Sequence, residues 1–416
     1  MKQIIGITDV WRNVCLGAAA WACFGRFINV FWSDIGVTRA EIGALSLAIM
    51  VASFVGQLFW SMVTDRLGEY KRVLVGTTLT GTVLIFLYLV PGVQASFWWL
   101  SLVCVSSSFF LSTGGPIIDA MCLSVLQEQD SEEQYGDQRL WCAVGWGGMS
   151  LVAGQLIDIF GIGFMFWGFA SIEAAYMAVC LCYMPMQKHK KQNTGQEEVT
   201  LKQFMNFDVL WFFANLIVYG LAMSVVESFL LVFLNEDFEN PPKLLLGAST
   251  TVMCFFEVPV FKYIDAVWAR KKERLTSVLM ACKLVLAFRC FCYTLLPPSQ
   301  PWLVLLIEPL HGFTFAAMWS ATVEYGQRIA PPGCVARMQA LVNGIYYQIA
   351  MGIGTAMWGP LAMQPPQGLG FQTCFRLDAA GIILWGLIWQ AGIFLRGRRQ
   401  ARSAGITVEQ PLAEVS

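Results

Sequence analysis

The sequence carries little charge. Only 13% of its 416 residues are Asp, Glu, Lys or Arg, whereas an average soluble domain has about 25%. The net charge is −1, and no basic face emerges that could follow a phosphate backbone. We therefore expect neither a soluble domain nor a nucleic-acid-binding protein.

Patterns that mark enzymes and ATP-driven pumps are also missing. There are two His residues and no pair of Cys at metal-ligand spacing, so no metal site is expected. The sequence has no phosphate-binding P-loop, no glycine-rich dinucleotide motif and no His-Glu-x-x-His. Most of its 13 Cys residues stand singly in apolar runs, where Cys acts as a small apolar residue. We expect no cofactor and no enzymatic activity.

Long apolar runs are abundant instead. Hydrophobic residues make up 56% of the chain, and the mean hydropathy is +0.58. A run of about 20 apolar residues crosses a ~30 Å hydrocarbon core as a helix, which satisfies every backbone polar group internally. Twelve such spans are predicted, approximately at 12–33, 40–63, 72–91, 97–127, 138–160, 162–184, 207–235, 244–266, 275–296, 301–328, 336–361 and 373–395. The sequence predicts an all-α, multi-pass membrane protein with twelve transmembrane helices.

A polar stretch near the middle divides these spans into two sets of six. It runs from Gln187 to Asn206 and contains hardly an apolar residue before Phe204. We interpret residues 1–186 and 207–396 as two pseudo-symmetric six-helix bundles, 187–206 as their linker and 397–416 as a disordered tail.

Lys and Arg indicate the orientation. Of the 27 Lys and Arg residues, four lie within spans and only Arg39, Lys243 and Arg376 lie on one side of the predicted membrane. The other 20 share the side of both termini and the linker. Because cytoplasmic loops are enriched in Lys and Arg, both termini and the linker are predicted to be cytosolic.

The two halves repeat a charged loop at corresponding positions. The first copy, between spans two and three, contains Asp65, Arg66, Gly68, Lys71 and Arg72. The second, between spans eight and nine, keeps Asp265 and a basic pair but not the Arg and Gly. An Asp at a helix end can pair with cations and with a neighbouring helix N-terminus, so these residues are candidates for a gate. The alternative is that the charges of these residues only determine the membrane topology.

This loop resembles the signature of the major facilitator superfamily, whose transporters are built from repeated bundles. Further stretches resemble its MFS-1-like branch, notably Ile118-Asp119-Ala120, Tyr135 to Gly147, Glu257-Val-Pro259 and Glu308 to Phe315. The stretch with Arg139 and Trp146 is also similar to lactose-permease-type symporters. That resemblance implies a sugar-site role for Arg139 and Trp146, the major facilitator fold and secondary transport by alternating access.

Ionisable residues inside the predicted spans are candidates for function. Each costs about 2.5–3.5 kcal/mol at mid-bilayer on insertion scales, so it needs a partner, a water-filled cavity or a role. In the superfamily, spans one, four, seven and ten line the cavity; here these spans carry Arg26, Asp119, Glu227 and Glu308. Trp319 is the aromatic candidate in the same cavity.

One group of residues is expected to couple solute transport to proton movement. Glu308 and Arg289 are predicted at similar depth on antiparallel spans, and His311 lies three residues after Glu308 on the same helix face. An acid in such a site can bind and release a proton as its partner moves; Glu308 is the expected titrating group and Glu257 a further candidate. The alternative is a static ion pair that fixes helix packing.

Together these features predict a secondary transporter of a small polar organic solute. A sugar or nucleoside is the leading cargo class, and protons are the candidate coupling ion. The rival hypothesis is a non-transporting receptor or scaffold that retains the fold. The expected surroundings are the lipid bilayer and a small-molecule solute, with the protein as a monomer.

Overall fold

The computed structural model describes residues 7–67, 70–114, 135–183, 206–268, 275–331 and 335–403. Within these ranges every regular element is helical. This agrees with the all-α expectation.

The first half contains eight α-helices in its described part. They are α1 (Ile7–Phe24), α2 (Ile28–Asp34), α3 (Arg39–Leu67), α4 (Tyr70–Phe86), α5 (Pro91–Gln94), α6 (Phe97–Leu111), α7 (Tyr135–Phe160) and α8 (Phe164–Tyr183). Helices α1 and α2 form one interrupted span, broken at residues 25–27.

The second half contains seven α-helices in its described part. They are α9 (Phe207–Asp237), α10 (Lys243–Trp268), α11 (Leu275–Tyr293), α12 (Met318–Ile329), α13 (Val335–Asn343), α14 (Met351–Ala362) and α15 (Phe371–Ser403). The carboxamide oxygen of Asn206 accepts a hydrogen bond from the backbone N–H of Val209 at 2.9 Å. This cap satisfies one unpaired N–H and marks where α9 begins.

Ten helical segments of the described chain are long and apolar enough to cross a membrane, and each coincides with a predicted span. The two remaining predicted spans are helical where they are described. Span 97–127 begins with the apolar helix α6 and runs into residues outside the described ranges. Span 336–361 is the continuous helical run from α13 to α14.

Spans ten and eleven depart from regular α-helix. Span ten starts as 3₁₀ turns at Pro301–Leu306 and Glu308–Leu310 and then widens into a π-helix at Gly312–Ala317. Span eleven contains a second π-helix at Gly344–Ala350. Pro309 has no backbone N–H and cannot continue an α-helical ladder, which accounts for the tight turn before His311. Single π-helical turns often occur at functional sites.

The backbones of the two halves approach closely in the part of the molecule towards one membrane face. We call the membrane face that holds residues 34–39, 160–164, 237–243 and 362–371 the far face, and the opposite one the near face. At the far-face half of the spans, a Cβ on Gly247 would lie 2.1 Å from the carbonyl oxygen of Ser150, and one on Gly43 would lie 2.6 Å from that of Thr355. Only Gly permits such close backbone approach between helices.

Candidate functional site

A fully buried ion pair lies between α11 and the 3₁₀ turn of span ten. The Arg289 guanidinium donates from Nη2 to Oε2 of Glu308 at 2.7 Å, and neither side chain is exposed. Tyr293, one turn after Arg289, accepts from Nε of Arg289 at 2.8 Å and donates to Oε1 of Glu308 at 3.1 Å. Both oxygens of Glu308 therefore have a partner, which a buried ion pair requires if it is to offset its desolvation.

His311 connects this ion pair to a second carboxylate. Its Nδ1 is 2.8 Å from Nη1 of Arg289, and its Nε2 is 2.8 Å from Oε1 of Glu257 on α10. A guanidinium can only donate, so Nδ1 is the acceptor in this contact. In the neutral ring the hydrogen is then on Nε2, which donates to Glu257. Arg289 thus determines the tautomer of His311.

Glu227 on α9 is a third carboxylate beside these residues. We refer to Arg26, Glu227, Glu257, Arg289, Glu308 and His311 together as the cluster. The Oε2 of Glu227 is 3.4 Å from Nη1 of Arg26, which comes from the first half of the chain. Its Oε1 is 3.6 Å from Nδ1 of His311 and is buried without a hydrogen-bond partner. The Glu227 side chain keeps 26% of its surface exposed, whereas Arg289 and Glu308 are fully enclosed. The cluster thus extends from a dry end to an open end.

Arg26 holds the cluster to the first half. Its Nε donates to Oγ1 of Thr250 at 2.8 Å, and its Nη1 also lies 3.3 Å from the backbone oxygen of Glu227. The chain leaves regular helix at residues 25–27, between α1 and α2, which aims the guanidinium at α9 and α10.

The cluster carries more carboxylates than fixed cations. It contains two guanidiniums and three carboxylates around one imidazole. With His311 neutral and all three carboxylates ionised, one negative charge is uncompensated. A low-dielectric site does not tolerate such a charge cheaply, so the arrangement has room for one additional positive charge.

Aromatic rings continue from His311 along span ten. The rings of His311 and Phe315 stack with centroids 5.5 Å apart, and those of Phe315 and Trp319 with centroids 6.4 Å apart. Trp319 then contacts Tyr346 and Tyr347 of the π-helix in span eleven, at centroid distances of 5.4 and 5.1 Å. The predicted cavity residue Trp319 therefore joins the cluster through a row of rings.

The other predicted cavity residues are not joined to this cluster by the described contacts. Trp146 is half-buried on α7. Arg139 lies in α7, but its side chain is outside the described part, and Asp119 lies outside the described residues altogether. Their roles stay predictions.

The predicted gate is only partly described. Gly68 lies outside the described residues, and the side chains of Asp65 in α3 and Asp265 in α10 are outside them too. Arg66 and Arg72 are exposed. Lys71 donates to the backbone oxygen of Leu181 on α8. The Asp–Arg gate itself stays a prediction.

Sequence reasoning missed several polar partners. Tyr293 contacts Nε of Arg289, and Thr314 contacts Nη1 of Arg289 at 3.0 Å. The contact with Tyr293 could have been predicted, because Arg289 and Tyr293 are four residues apart on one helix. Two acids inside predicted spans were also overlooked. Asp378 is buried against the thiol of Cys290 at 3.2 Å, and Glu173 is buried with no hydrogen-bond partner for Oε2.

The chain is similar to known membrane transporters. The model of the MFS_1 like family matches residues 17–367. The maltose permease of Geobacillus stearothermophilus is 25% identical over 323 residues, which are 76% of this chain and 77% of that protein. A probable 3-phenylpropionic acid transporter of Escherichia coli (strain K12) is 28% identical over 141 residues, or 34% of this chain and 36% of that one.

Solved structures share the fold. The nucleoside transporter NupG superposes with a TM-score of 0.78 at 16% identity, covering 92% of this chain and 98% of that one. A bacterial homologue of the iron transporter ferroportin, in an inward-facing state, superposes with a TM-score of 0.71 at 13% identity and the same coverage. The predicted major facilitator fold is thereby confirmed.

Proposed function

The chain belongs to the MFS_1 like family and is a multi-pass secondary transporter rather than an enzyme, and we propose that it couples the movement of a small polar organic solute to protons at His311. Residues 1–186 and 207–396 are the two bundles that rock against each other, joined by the linker 187–206. The observation that carries the proposal is the position of His311 between Arg289, Glu257 and Glu227.

The proton binds at Nδ1 of His311. This atom cannot accept the hydrogen bond from Arg289 and hold a proton at the same time. When Arg289 withdraws, Nδ1 can take a proton and donate to the unpartnered Oε1 of Glu227, 3.6 Å away. The resulting imidazolium keeps its hydrogen bond from Nε2–H to Glu257. It also supplies the positive charge that the cluster lacks.

Glu308 has a different role in this scheme. Its two oxygens accept hydrogen bonds from Arg289 and Tyr293 in a fully buried site. Glu308 is therefore the fixed ion-pair partner to which Arg289 returns. This changes the sequence-based hypothesis, which made Glu308 the titrating group. Arg289, Glu308, His311 and Glu257 remain one coupling unit, with the exchangeable proton on the imidazole.

The cargo binds at the open end of the cluster. Glu227 offers a hydrogen-bond acceptor there and Arg26 a donor, and half-buried Tyr347, packed on the buried ring of Trp319, offers an aromatic surface. Hydroxyl-bearing rings fit this combination, because their edges hydrogen-bond and their faces pack on aromatic rings. We therefore place sugars and nucleosides first, and this agrees with the maltose and nucleoside cargo named for two similar proteins. Asp119, Arg139 and Trp146 are proposed as cargo contacts from the first half.

The near face is proposed to be cytosolic, from the distribution of Lys and Arg. In this orientation Asp65, Arg66, Gly68, Lys71 and Arg72, with Asp265 in the second copy, lie at the cytosolic gate. The transporter is proposed to work as a monomer.

A receptor or scaffold that no longer transports is the weaker alternative. Such a protein would not need a carboxylate that is partly exposed at one end of a buried charge cluster.

Uptake into proteoliposomes tests the proposal. A panel of radiolabelled hexoses, disaccharides, nucleosides and aromatic acids is offered with and without an inward proton gradient. We expect at least one sugar or nucleoside to accumulate only with the gradient. The proposal would be contradicted if the cargo accumulated equally with and without the proton gradient, or if only aromatic acids were transported.

A further inference from the structure

Arg39 connects the two halves at the far face. It lies at the start of α3 and is only 7% exposed. Its Nε donates to Glu236 at 2.6 Å and its Nη2 to Asp237 at 2.8 Å, both at the end of α9. Its Nη1 donates to the backbone oxygen of Ala362 at the end of α14 at 2.5 Å.

The ring of Phe371 completes the surroundings of this guanidinium. It lies 4.0 Å from the Arg39 Cζ and begins α15. One side chain of the first half thus binds the ends of three helices of the second half. Only a planar guanidinium with five N–H groups can make these contacts together; an ammonium cannot.

Further polar contacts close the same face. The Asp158 carboxylate at the end of α7 accepts from the backbone N–H groups of Lys243 and Leu244, each at 2.7 Å. The Lys243 ammonium is 3.3 Å from Asp34 at the end of α2. Both contacts again join the first half to the second.

Among the hydrogen bonds described above, those that join the two halves are not evenly distributed along the spans. They lie between the level of Arg26 and the far face. The described polar contacts between the two halves are therefore concentrated at the far face and at the level of Arg26.

We propose that Arg39 is the latch of the far-face gate. Its three hydrogen bonds must break together when the ends of α9 and α14 move away from α3. All three use the charged guanidinium; the bond to Ala362 is buried and those to Glu236 and Asp237 are partly buried, so together they favour the closed far face. The latch sets the balance between the two conformations and depends on neither the cargo nor the proton site. It is also separate from the predicted near-face gate at Asp65.

Hydrogen exchange followed by mass spectrometry tests the latch on the purified full-length protein without cargo. In Arg39→Ala we expect backbone exchange at residues 28–46 and 230–247 to become about tenfold faster, the shift that a loss of one strong contact produces. Exchange at residues 55–67 and 255–268 should become slower, because the near face closes when the far face opens. Arg376→Ala is the matched control: it is an exposed Arg at the same face and should change neither set.

Opposite changes in the exchange rate at the two faces distinguish a latch from local unfolding. Faster exchange at the far face alone, or no change at either face, would overturn the proposal. If Arg39→Ala does not yield folded protein, Arg39→Lys and the pair Glu236→Gln with Asp237→Asn give the same test, since each removes part of the contact. Both must show the reciprocal pattern for the latch to stand.

Discussion

Arg289 donates a hydrogen bond of 2.8 Å to Nδ1 of His311, and this bond excludes a proton from that nitrogen. The same guanidinium holds Glu308 at 2.7 Å. A movement of Arg289 would therefore change the proton affinity of an imidazole that also contacts Glu257. Arg289 is on α11, whereas His311 and Glu257 are on span ten and α10, so a movement of α11 relative to these two would break the first contact and keep the second.

Replacing Arg289 should destabilise the protein severely. Arg289→Ala leaves the carboxylate of Glu308 buried and unpaired, and breaking a buried pair in this way costs about 3–5 kcal/mol. We expect a clearly lower unfolding midpoint of the purified protein, measured by fluorescence-detected thermal unfolding.

The double variant Arg289→Ala/Glu308→Gln distinguishes a stranded charge from lost packing. It removes the charge together with its partner, so it should recover part of the lost stability. A double variant that is as unstable as Arg289→Ala alone would show that packing, rather than charge, determines the loss.

Removing the charge of Glu227 should weaken cargo binding. Glu227→Gln keeps the shape of the side chain but loses the ionic partner of Arg26, 3.4 Å away, and the free acceptor beside His311. We expect the KM for the cargo to rise about tenfold, which corresponds to about 1.4 kcal/mol. Glu324→Gln is the control, because Glu324 is an exposed acid paired with Arg328 on α12. An unchanged KM in Glu227→Gln would place the cargo elsewhere.

Trp319 should contribute affinity through its ring. Trp319→Ala removes the ring that stacks on Phe315 and packs at a tilt against Tyr347, whereas Trp319→Phe keeps an aromatic ring. An aromatic contact of this kind contributes about 0.5–1.5 kcal/mol, so we expect a KM that is several times higher for Trp319→Ala and nearly normal for Trp319→Phe. Equal effects of the two substitutions would argue against stacking.

The helical spans could be predicted from the sequence because membrane insertion depends on local composition. Apolar runs of about 20 residues identify their own helices, and ten predicted spans coincide with described ones. The proximity of Arg289, Glu308 and His311 was also predictable, since antiparallel spans with a short loop place residues at equal depth.

Contacts between distant spans could not be predicted in the same way. The bonds of Arg39 to Glu236 and of His311 to Glu257 depend on how the bundles pack, and no local pattern encodes that packing. The π-helix at Gly312–Ala317 was also unforeseen, because it arises from an extra residue in a helical turn rather than from a residue type. Asp378 could have been found, as it is an acid inside the predicted span 373–395.

Proton-driven uptake by His311→Gln is the most direct test of the proposed coupling. Gln can still accept from Arg289 but cannot be protonated near neutral pH. The variant is reconstituted beside the wild type and offered the cargo that the solute panel identifies. We predict that His311→Gln exchanges internal for external cargo as the wild type does, but no longer accumulates cargo when an inward proton gradient is imposed. If His311→Gln still concentrates cargo against its gradient in response to protons, His311 is not the coupling site.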